Sequence, residues 1–244
     1  MLENLWYCGS WGRGGNRIMQ NLMEMNNATG LYCSSLPVGG SSFEGTTAYF
    51  EKYGYIFVKN LYDPKELYHE VPKERGQINY FGSVDKFNHI PEECQVNGSL
   101  ARYSHPQYKY PHSQIRLRLE KILGEKLYNT YYYDRFYFPG QELTRHKDRD
   151  ACEISVTVHI SSNSKKDWPI WFKTPDDEER FVSMEPGDGV IYKGCDIEHW
   201  REPFDPFNNI FEKFLKKDYY YHQIFFHYIR ANGPRVHCAG DMAR

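Results

Sequence analysis

The chain has 244 residues and a mass of 29.0 kDa, enough for one large domain with a buried core. It carries 30 Lys and Arg against 32 Asp and Glu, a formal net charge of −2, so no basic field favours binding to nucleic acid or to an anionic membrane. Aromatic residues make up 17% of the chain and include 21 tyrosines, a composition that favours strands and predicts a mainly β core.

The cysteine spacing, the hydropathy and the N-terminus argue against four further features. The six cysteines include no C-x-x-C pair, which argues against a structural zinc site or a redox dithiol. No segment is apolar for long enough to span a membrane, and the first residues lack the basic start and apolar stretch of a secretory signal. We therefore expect a cytoplasmic protein with no membrane partner, and the sequence leaves its oligomeric state open.

The first half of the chain predicts an arm and two helices. Residues 1–45 are rich in glycine and predict an N-terminal arm or irregular cap, followed by a single domain over residues 46–244. One helix is predicted at about residues 63–71, because an aspartate cap is followed by proline and, three positions after the cap, by glutamate. A second is predicted at about residues 112–127, where apolar residues recur at helical spacing.

The second half of the chain has a different pattern. From about residue 131 to 229, short runs rich in aromatic and β-branched residues alternate with turn residues, which predicts strands at regular spacing. Such a series is typical of a sandwich or jelly roll. We therefore predict a jelly-roll core with the helices bracing its outside.

Three residues in this strand-rich half form a candidate metal site. His146 and Asp148 are two positions apart, so in an extended chain their side chains share a face. His199 follows a later strand that begins at the turn Pro186-Gly187-Asp188-Gly189. Two imidazoles and one carboxylate suit Fe(II) and leave coordination positions open for a cofactor and dioxygen.

These residues resemble the motif of the 2-oxoglutarate and Fe(II)-dependent oxygenases, and within them the prolyl 4-hydroxylase-like branch. The resemblance covers about residues 131–229: Tyr137 nine positions before His146, Gly140, the H-x-D triplet, the Pro-Gly-Asp turn and His199. It implies a double-stranded β-helix, or jelly-roll, core. It also implies that His146, Asp148 and His199 hold Fe(II) and that Tyr137 lines the 2-oxoglutarate pocket.

One element of the family pattern is missing. The family usually places a Lys or Arg about ten residues after the distal histidine, where it pairs with the far carboxylate of 2-oxoglutarate. Here that region contains an apparent insertion and no obvious single cation. Arg201 is the nearest alternative, because it shares the strand face of His199 and a guanidinium can grip a carboxylate through two hydrogen bonds. Lys173 is a second candidate.

The resemblance predicts a dioxygenase that uses Fe(II), 2-oxoglutarate and dioxygen to hydroxylate a C–H bond of an amino acid, a peptide or another small substrate, with release of succinate and CO2. Two alternatives stay open: a cupin-like metal enzyme that does not use 2-oxoglutarate, and a non-catalytic jelly-roll binding module. His159 and His227 lie within apolar runs with no carboxylate two places on, and we interpret both as hydrogen-bonded core residues.

Overall fold

A computed structural model describes residues 8–10, 44–214 and 218–242. They form four α-helices and thirteen strands. The helices are α1 (Glu44–Tyr53), α2 (Pro64–Leu67), α3 (Lys109–Leu123) and α4 (Ile210–Phe214). The strands are β1 (Cys8–Ser10), β2 (Tyr55–Val58), β3 (Gly76–Tyr80), β4 (Phe87–Ile90), β5 (Leu100–Tyr103), β6 (Leu127–Tyr137), β7 (Leu143–His146), β8 (Ile154–Ser162), β9 (Ile170–Lys173), β10 (Glu179–Val182), β11 (Gly189–Tyr192), β12 (Glu198–Arg201) and β13 (Tyr221–Arg230).

The strands form two sheets that pack against each other. One has five strands in the order β1-β10-β9-β12-β7, and the other has eight in the order β2-β11-β8-β13-β6-β5-β3-β4. Every pairing is antiparallel except that of β3 with β5. Phe172 of the five-stranded sheet stacks on Tyr55 of the eight-stranded sheet at a centroid distance of 4.9 Å. The predicted mainly β core is confirmed.

Helix α2 is shorter than the sequence predicts. It starts as expected, with Asp63 accepting a hydrogen bond from the Lys65 backbone N–H at 2.9 Å. It ends after Leu67 because Tyr68 is extended, with ψ 139°, and Pro72 follows a few residues later.

Helix α3 is shifted toward the N-terminus relative to the prediction. A 3-10 turn runs directly into it, so it begins at Lys109 rather than near residue 112. It ends at Leu123 because Gly124 takes the left-handed conformation, with φ 71°. Its buried stripe packs on β6, so this helix braces the eight-stranded sheet from outside, as predicted.

The predicted arm over residues 1–45 lies outside the described residues, apart from β1, which pairs with β10, and the first two residues of α1. Among the helices that are described, none has the length and apolar character needed to cross a bilayer.

The two faces of the eight-stranded sheet differ in character. Because side chains alternate along a strand, each strand contributes one set to the core under α3 and the other set to the inner face, toward the five-stranded sheet. On β8 and β13 the α3 side is apolar and comprises Ile154, Val156, Val158, Ile160, Ile224, Phe226 and Tyr228. The inner face is polar or aromatic, and comprises the buried residues Ser155, Thr157, His159, Tyr221, Gln223, Phe225 and His227 and the half-buried Ser161. Buried polar groups are unfavourable unless they are hydrogen-bonded, so this face differs from an ordinary apolar packing layer.

Candidate active site

The three predicted metal ligands lie together at one end of the inner face. His146 ends β7, and His199 on β12 is its direct partner in the antiparallel pairing, with ring centroids 4.4 Å apart. Asp148 Oδ1 lies 3.5 Å from His146 Nε2 and 3.6 Å from His199 Nε2. One ligand atom from each residue therefore falls within 4.8 Å of the others, close enough to share one metal ion.

The backbone fixes which nitrogen of each histidine is available. His146 Nδ1 is 2.7 Å from the Thr144 carbonyl, and His199 Nδ1 is 3.3 Å from the Ile197 carbonyl. A carbonyl only accepts, so in both rings Nδ1 carries the proton and donates. Each neutral imidazole is left with its lone pair on Nε2, the atom that faces Asp148. Two imidazole lone pairs and a carboxylate oxygen fit Fe(II).

When an imidazole of this cluster is protonated, it and the Asp148 carboxylate stabilise each other's charged form. Burial acts to raise the pKa of Asp148, but the neighbouring His199 and His146 outweigh it and hold the pKa well below its usual range. Burial acts to lower the pKa of His146, but the Asp148 carboxylate outweighs it and raises the pKa. The side chain of His146 is 24% exposed and that of His199 2% exposed, so the cluster opens to solvent on the His146 side.

A loop from outside the core reaches the same end of the site. Glu93 Oε1 and Gln95 Oε1 both accept hydrogen bonds from Arg135 Nη2, at 3.0 and 2.8 Å. Gln95 Nε2 lies 3.3 Å from His146 Nε2. Arg135 also donates to the Tyr137 hydroxyl at 3.2 Å. The sequence does not indicate this network, because Glu93 and Gln95 are forty or more residues from Arg135 and His146 and no local pattern connects them.

Two of the predicted cofactor residues meet around Trp168. The Tyr137 ring lies 4.9 Å from the Trp168 ring, and the Arg201 guanidinium lies 4.7 Å from the same ring. Phe204 and Tyr221 close the cluster, at centroid distances of 5.0 and 5.1 Å from Trp168. Arg201 is two residues beyond His199, about 6.6 Å along the strand, so this cluster adjoins the metal ligands.

Arg201 is a buried cation without a carboxylate partner among the described residues. It is 1% exposed, and its Nη1 donates to the Trp168 carbonyl. Nε and Nη2 have no acceptor within hydrogen-bonding geometry in the described part of the chain. Burial raises the pKa of the nearby Tyr221 to about 12, so this phenol stays neutral. A buried, unpaired guanidinium is costly, and a carboxylate would complete it. The arrangement therefore fits one end of 2-oxoglutarate.

Lys173, the second predicted anchor, is not brought to the site. It is the register partner of Glu198 on β12, so it lies on the opposite face of the sheet from His199. Its Nζ pairs with Asp177 at 2.6 Å on the exposed side of the five-stranded sheet. The alternation of side chains along β9, which sends Phe172 inward, turns Lys173 outward.

His159 and His227 are buried and hydrogen-bonded through Nδ1, His159 to the Met184 carbonyl at 2.9 Å and His227 to Ser155 Oγ at 3.0 Å. Neither Nε2 has a partner among the described residues. Both therefore line the inner face with one unpaired nitrogen, which the sequence did not indicate.

Solved structures share this architecture at low sequence identity. A 2-oxoglutarate-Fe(II) oxygenase family oxidoreductase from Burkholderia pseudomallei is 10% identical, with a TM-score of 0.53 over 81% of this chain and 95% of that chain. The non-heme α-ketoglutarate-dependent epimerase SnoN from nogalamycin biosynthesis is 12% identical, with a TM-score of 0.50 over 76% of this chain and 80% of that chain. No family model and no curated protein sequence matches the chain.

At these identities the likeness concerns the backbone. The two facing sheets, the position of the H-x-D triplet after β7 and the distal histidine on β12 agree with the predicted double-stranded β-helix. The chain thus has the fold of the 2-oxoglutarate and Fe(II)-dependent oxygenases.

Proposed function

We propose that this protein is an Fe(II)- and 2-oxoglutarate-dependent dioxygenase that hydroxylates a C–H bond of an amino acid, a peptide or another small substrate. The proposal rests on two residues of strand β12. His199 faces Asp148 and His146, and Arg201 is a buried cation with no carboxylate partner among the described residues. A metal triad beside an anion site is what a metal-bound dicarboxylate cofactor requires.

Each residue has a defined role in this proposal. His146 Nε2, His199 Nε2 and Asp148 Oδ1 would hold the iron, and Arg201 would bind the distal carboxylate with Tyr137 lining the same pocket. The iron supplies dioxygen activation: R–H, O2 and 2-oxoglutarate give R–OH, succinate and CO2. The protein binds and orients the reactants, and the aromatic wall of Trp168, Tyr221 and their neighbours keeps water out.

The two alternatives are less well supported by the same residues. A cupin-like enzyme that does not use 2-oxoglutarate gives no reason for a buried guanidinium with two unpaired nitrogens. A non-catalytic binding module gives no reason for two imidazole lone pairs directed at one carboxylate oxygen. SnoN, one of the proteins with a similar structure, is an epimerase, so product analysis must distinguish epimerisation from hydroxylation.

Anaerobic titration followed by turnover tests the proposal. We expect the purified protein to bind one Fe(II) or Mn(II) per chain, to bind 2-oxoglutarate more tightly with metal than without, and to release succinate when supplied with oxygen and pools of amino acids or peptides. Asp148→Ala is the control and should lose metal binding and succinate release together. Metal-dependent turnover that does not require 2-oxoglutarate would favour the cupin-like alternative. A protein that binds no metal would favour the non-catalytic binding module.

A further inference from the structure

Ser155 connects the metal ligand Asp148 to a buried histidine. Its Oγ lies 2.9 Å from Asp148 Oδ2, 3.2 Å from the Cys152 carbonyl and 3.0 Å from His227 Nδ1. Ser155 and His227 are direct partners in the pairing of β8 with β13, so the register of the two strands fixes this contact. Ser155 and His227 are buried, and the side chain of Asp148 is 14% exposed.

The hydrogen positions follow from counting protons. A serine hydroxyl has one proton to donate and can accept from two donors. Asp148 Oδ2 and the Cys152 carbonyl can only accept, and the charged carboxylate is the stronger acceptor. Ser155 therefore donates to Asp148, and His227 Nδ1 must carry a proton and donate to Ser155. The order of donation is His227 to Ser155 to Asp148.

We infer that His227 is a positioning residue for the metal centre, acting through Ser155 to fix the orientation of the Asp148 carboxylate. With Oδ2 held by Ser155, only Oδ1 faces His146 and His199, and Asp148 presents a single ligand atom. The inference rests on the proposed metal site. It extends that site by two residues that are neither ligands nor cofactor contacts.

A purely structural role for His227 explains less. Its ring packs on Tyr131 at 4.5 Å, which an apolar side chain could also do. Its Nε2 is buried with no partner among the described residues, and an unpaired nitrogen in a core is unfavourable. Burial lowers the pKa of His227 to about 4, so the ring is neutral at physiological pH and carries one proton. The bond to Ser155 is the feature that justifies a histidine here.

Two amide substitutions separate these roles. The amide of His227→Asn occupies the place of Nδ1 and can still donate to Ser155, whereas the amide of His227→Gln occupies the place of Nε2 and cannot. Ser155→Ala removes the link itself. The measurements are the Co(II) dissociation constant under anaerobic conditions and the visible spectrum of the bound Co(II), which reports the geometry and number of its ligands.

We expect Ser155→Ala and His227→Gln each to weaken Co(II) binding about tenfold and to alter the spectrum, since partners of metal ligands commonly contribute 10- to 100-fold in affinity. His227→Asn should stay close to wild type. The double variant Ser155→Ala/His227→Gln should bind no more weakly than Ser155→Ala, because both changes break one chain of contacts. Thr157→Val is the matched control: it removes a buried β8 hydroxyl that bonds Gln223 and not Asp148, and should leave Co(II) binding unchanged.

The inference fails if His227→Gln keeps wild-type affinity and spectrum, if His227→Asn and His227→Gln lose affinity equally, or if the losses in the double variant add. A wild-type protein that binds no Co(II) would instead count against the metal site itself. Circular dichroism of each variant identifies any that do not fold, and the Asn and Gln variants are similar enough in size and polarity that one serves as the folding control for the other.

Discussion

Asp148 and Gly194 are in direct contact at the proposed metal site. The Asp148 backbone N–H donates to the Gly194 carbonyl at 2.9 Å. A Cβ added to Gly194 would overlap Asp148 Oδ2 and lie 2.6 Å from Ser155 Oγ. The glycine is therefore required for space rather than for backbone conformation, and its neighbours are the proposed metal ligand Asp148, the Cys152 carbonyl and Ser155.

Gly194→Ala should consequently displace the Asp148 carboxylate. We expect metal affinity to fall at least about tenfold, as for loss of a partner of a metal ligand, and stability to fall by about 1 to 3 kcal/mol from overpacking. Metal titration and urea unfolding measure the two effects. Gly124→Ala is the control, because Gly124 has φ 71° and open space around it, so this variant should lose stability and keep metal affinity. Unchanged metal affinity in Gly194→Ala would mean that Asp148 tolerates the shift.

Asp134, a fully buried carboxylate, lies on the opposite face of β6 from Arg135. It accepts hydrogen bonds from Arg102, from the Tyr108 hydroxyl at 3.1 Å and from His222 Nε2 at 2.7 Å. The Arg102 charge, together with His222, holds its pKa far below the usual range against the opposing effect of burial. This network joins β5 and the turn before α3 to the β-helix core.

Asp134→Asn should therefore destabilise the protein without affecting the metal site. Removing one partner of a buried ion pair leaves the other charge uncompensated, at a cost of about 3 to 5 kcal/mol. Urea unfolding should show this loss, and the metal affinity of the folded fraction should match wild type. Asp177→Asn, which breaks the exposed pair with Lys173, should change stability by less than about 1 kcal/mol. Equal effects of the two substitutions would contradict the prediction.

The sequence predicts which residues form the candidate metal site better than it predicts their surroundings. His146 and Asp148 are two positions apart, so they stay close together although β7 ends at His146, and His199 follows a recognisable turn. Ser155 and His227 are 72 residues apart, and their contact depends on the register of β8 against β13, which shifts between His222 and Gln223. Local spacing carries no information about such a register.

The candidate anchors show the same limit. Arg201 and Lys173 are the last residues of β12 and β9. Arg201 is two positions from His199, which correctly predicts that its side chain is buried on the inner side of the sheet. Strand β9 contains none of the predicted metal ligands, so its own sequence gives no reference for which side chains face the site. That orientation becomes clear only from the pairing of β9 with β12, which the sequence does not reveal. The helix ends differ from prediction for local reasons, a 3-10 turn before α3 and an extended Tyr68 after α2.

Buried neutral histidines should make the protein sensitive to mild acid. Burial lowers the pKa of His112 to about 3 and those of His105 and His159 to about 4. In the unfolded chain these groups take up protons near pH 6.5, so between pH about 6.5 and 4 the unfolded state binds more protons. The free energy of unfolding should therefore fall as pH is lowered through this window, by up to about 1.4 kcal/mol per histidine and pH unit.

Urea unfolding at a series of pH values from 7 to 5 measures this dependence. Glutamine cannot titrate, so in His112→Gln the free energy of unfolding should depend less steeply on pH. The reduction should correspond to up to about one fewer proton taken up on unfolding, whatever the stability of the variant at pH 7. A wild-type stability that stays constant down to pH 5 would show that these histidines are already protonated in the folded state or exposed to solvent.

Arg201→Ala should weaken 2-oxoglutarate binding and leave the metal in place. A charge-assisted pair with a carboxylate is worth about 1.5 to 3 kcal/mol, so the dissociation constant should rise at least about tenfold. Arg201→Lys should recover part of the loss, because an ammonium cannot make two parallel bonds. Calorimetry on the Mn(II)-loaded protein measures the 2-oxoglutarate dissociation constants of both variants. Lys173→Ala is the control and should bind as wild type; if it weakens binding and Arg201→Ala does not, the anchor is Lys173.

Arg201 should lower the stability of the ligand-free protein. Arg201 is 1% exposed, and two of its nitrogens have no acceptor in the described part of the chain, so without 2-oxoglutarate its charge is buried and uncompensated. Arg201→Met keeps the packing against Trp168 and Tyr221 but removes the charge. We expect this variant to unfold at the same or a higher urea concentration than wild type in the absence of ligand, and to gain no stability from 2-oxoglutarate, whereas wild type should gain. A variant that is less stable than wild type without ligand would mean that the hydrogen bond to the Trp168 carbonyl and the ring contacts already compensate the charge.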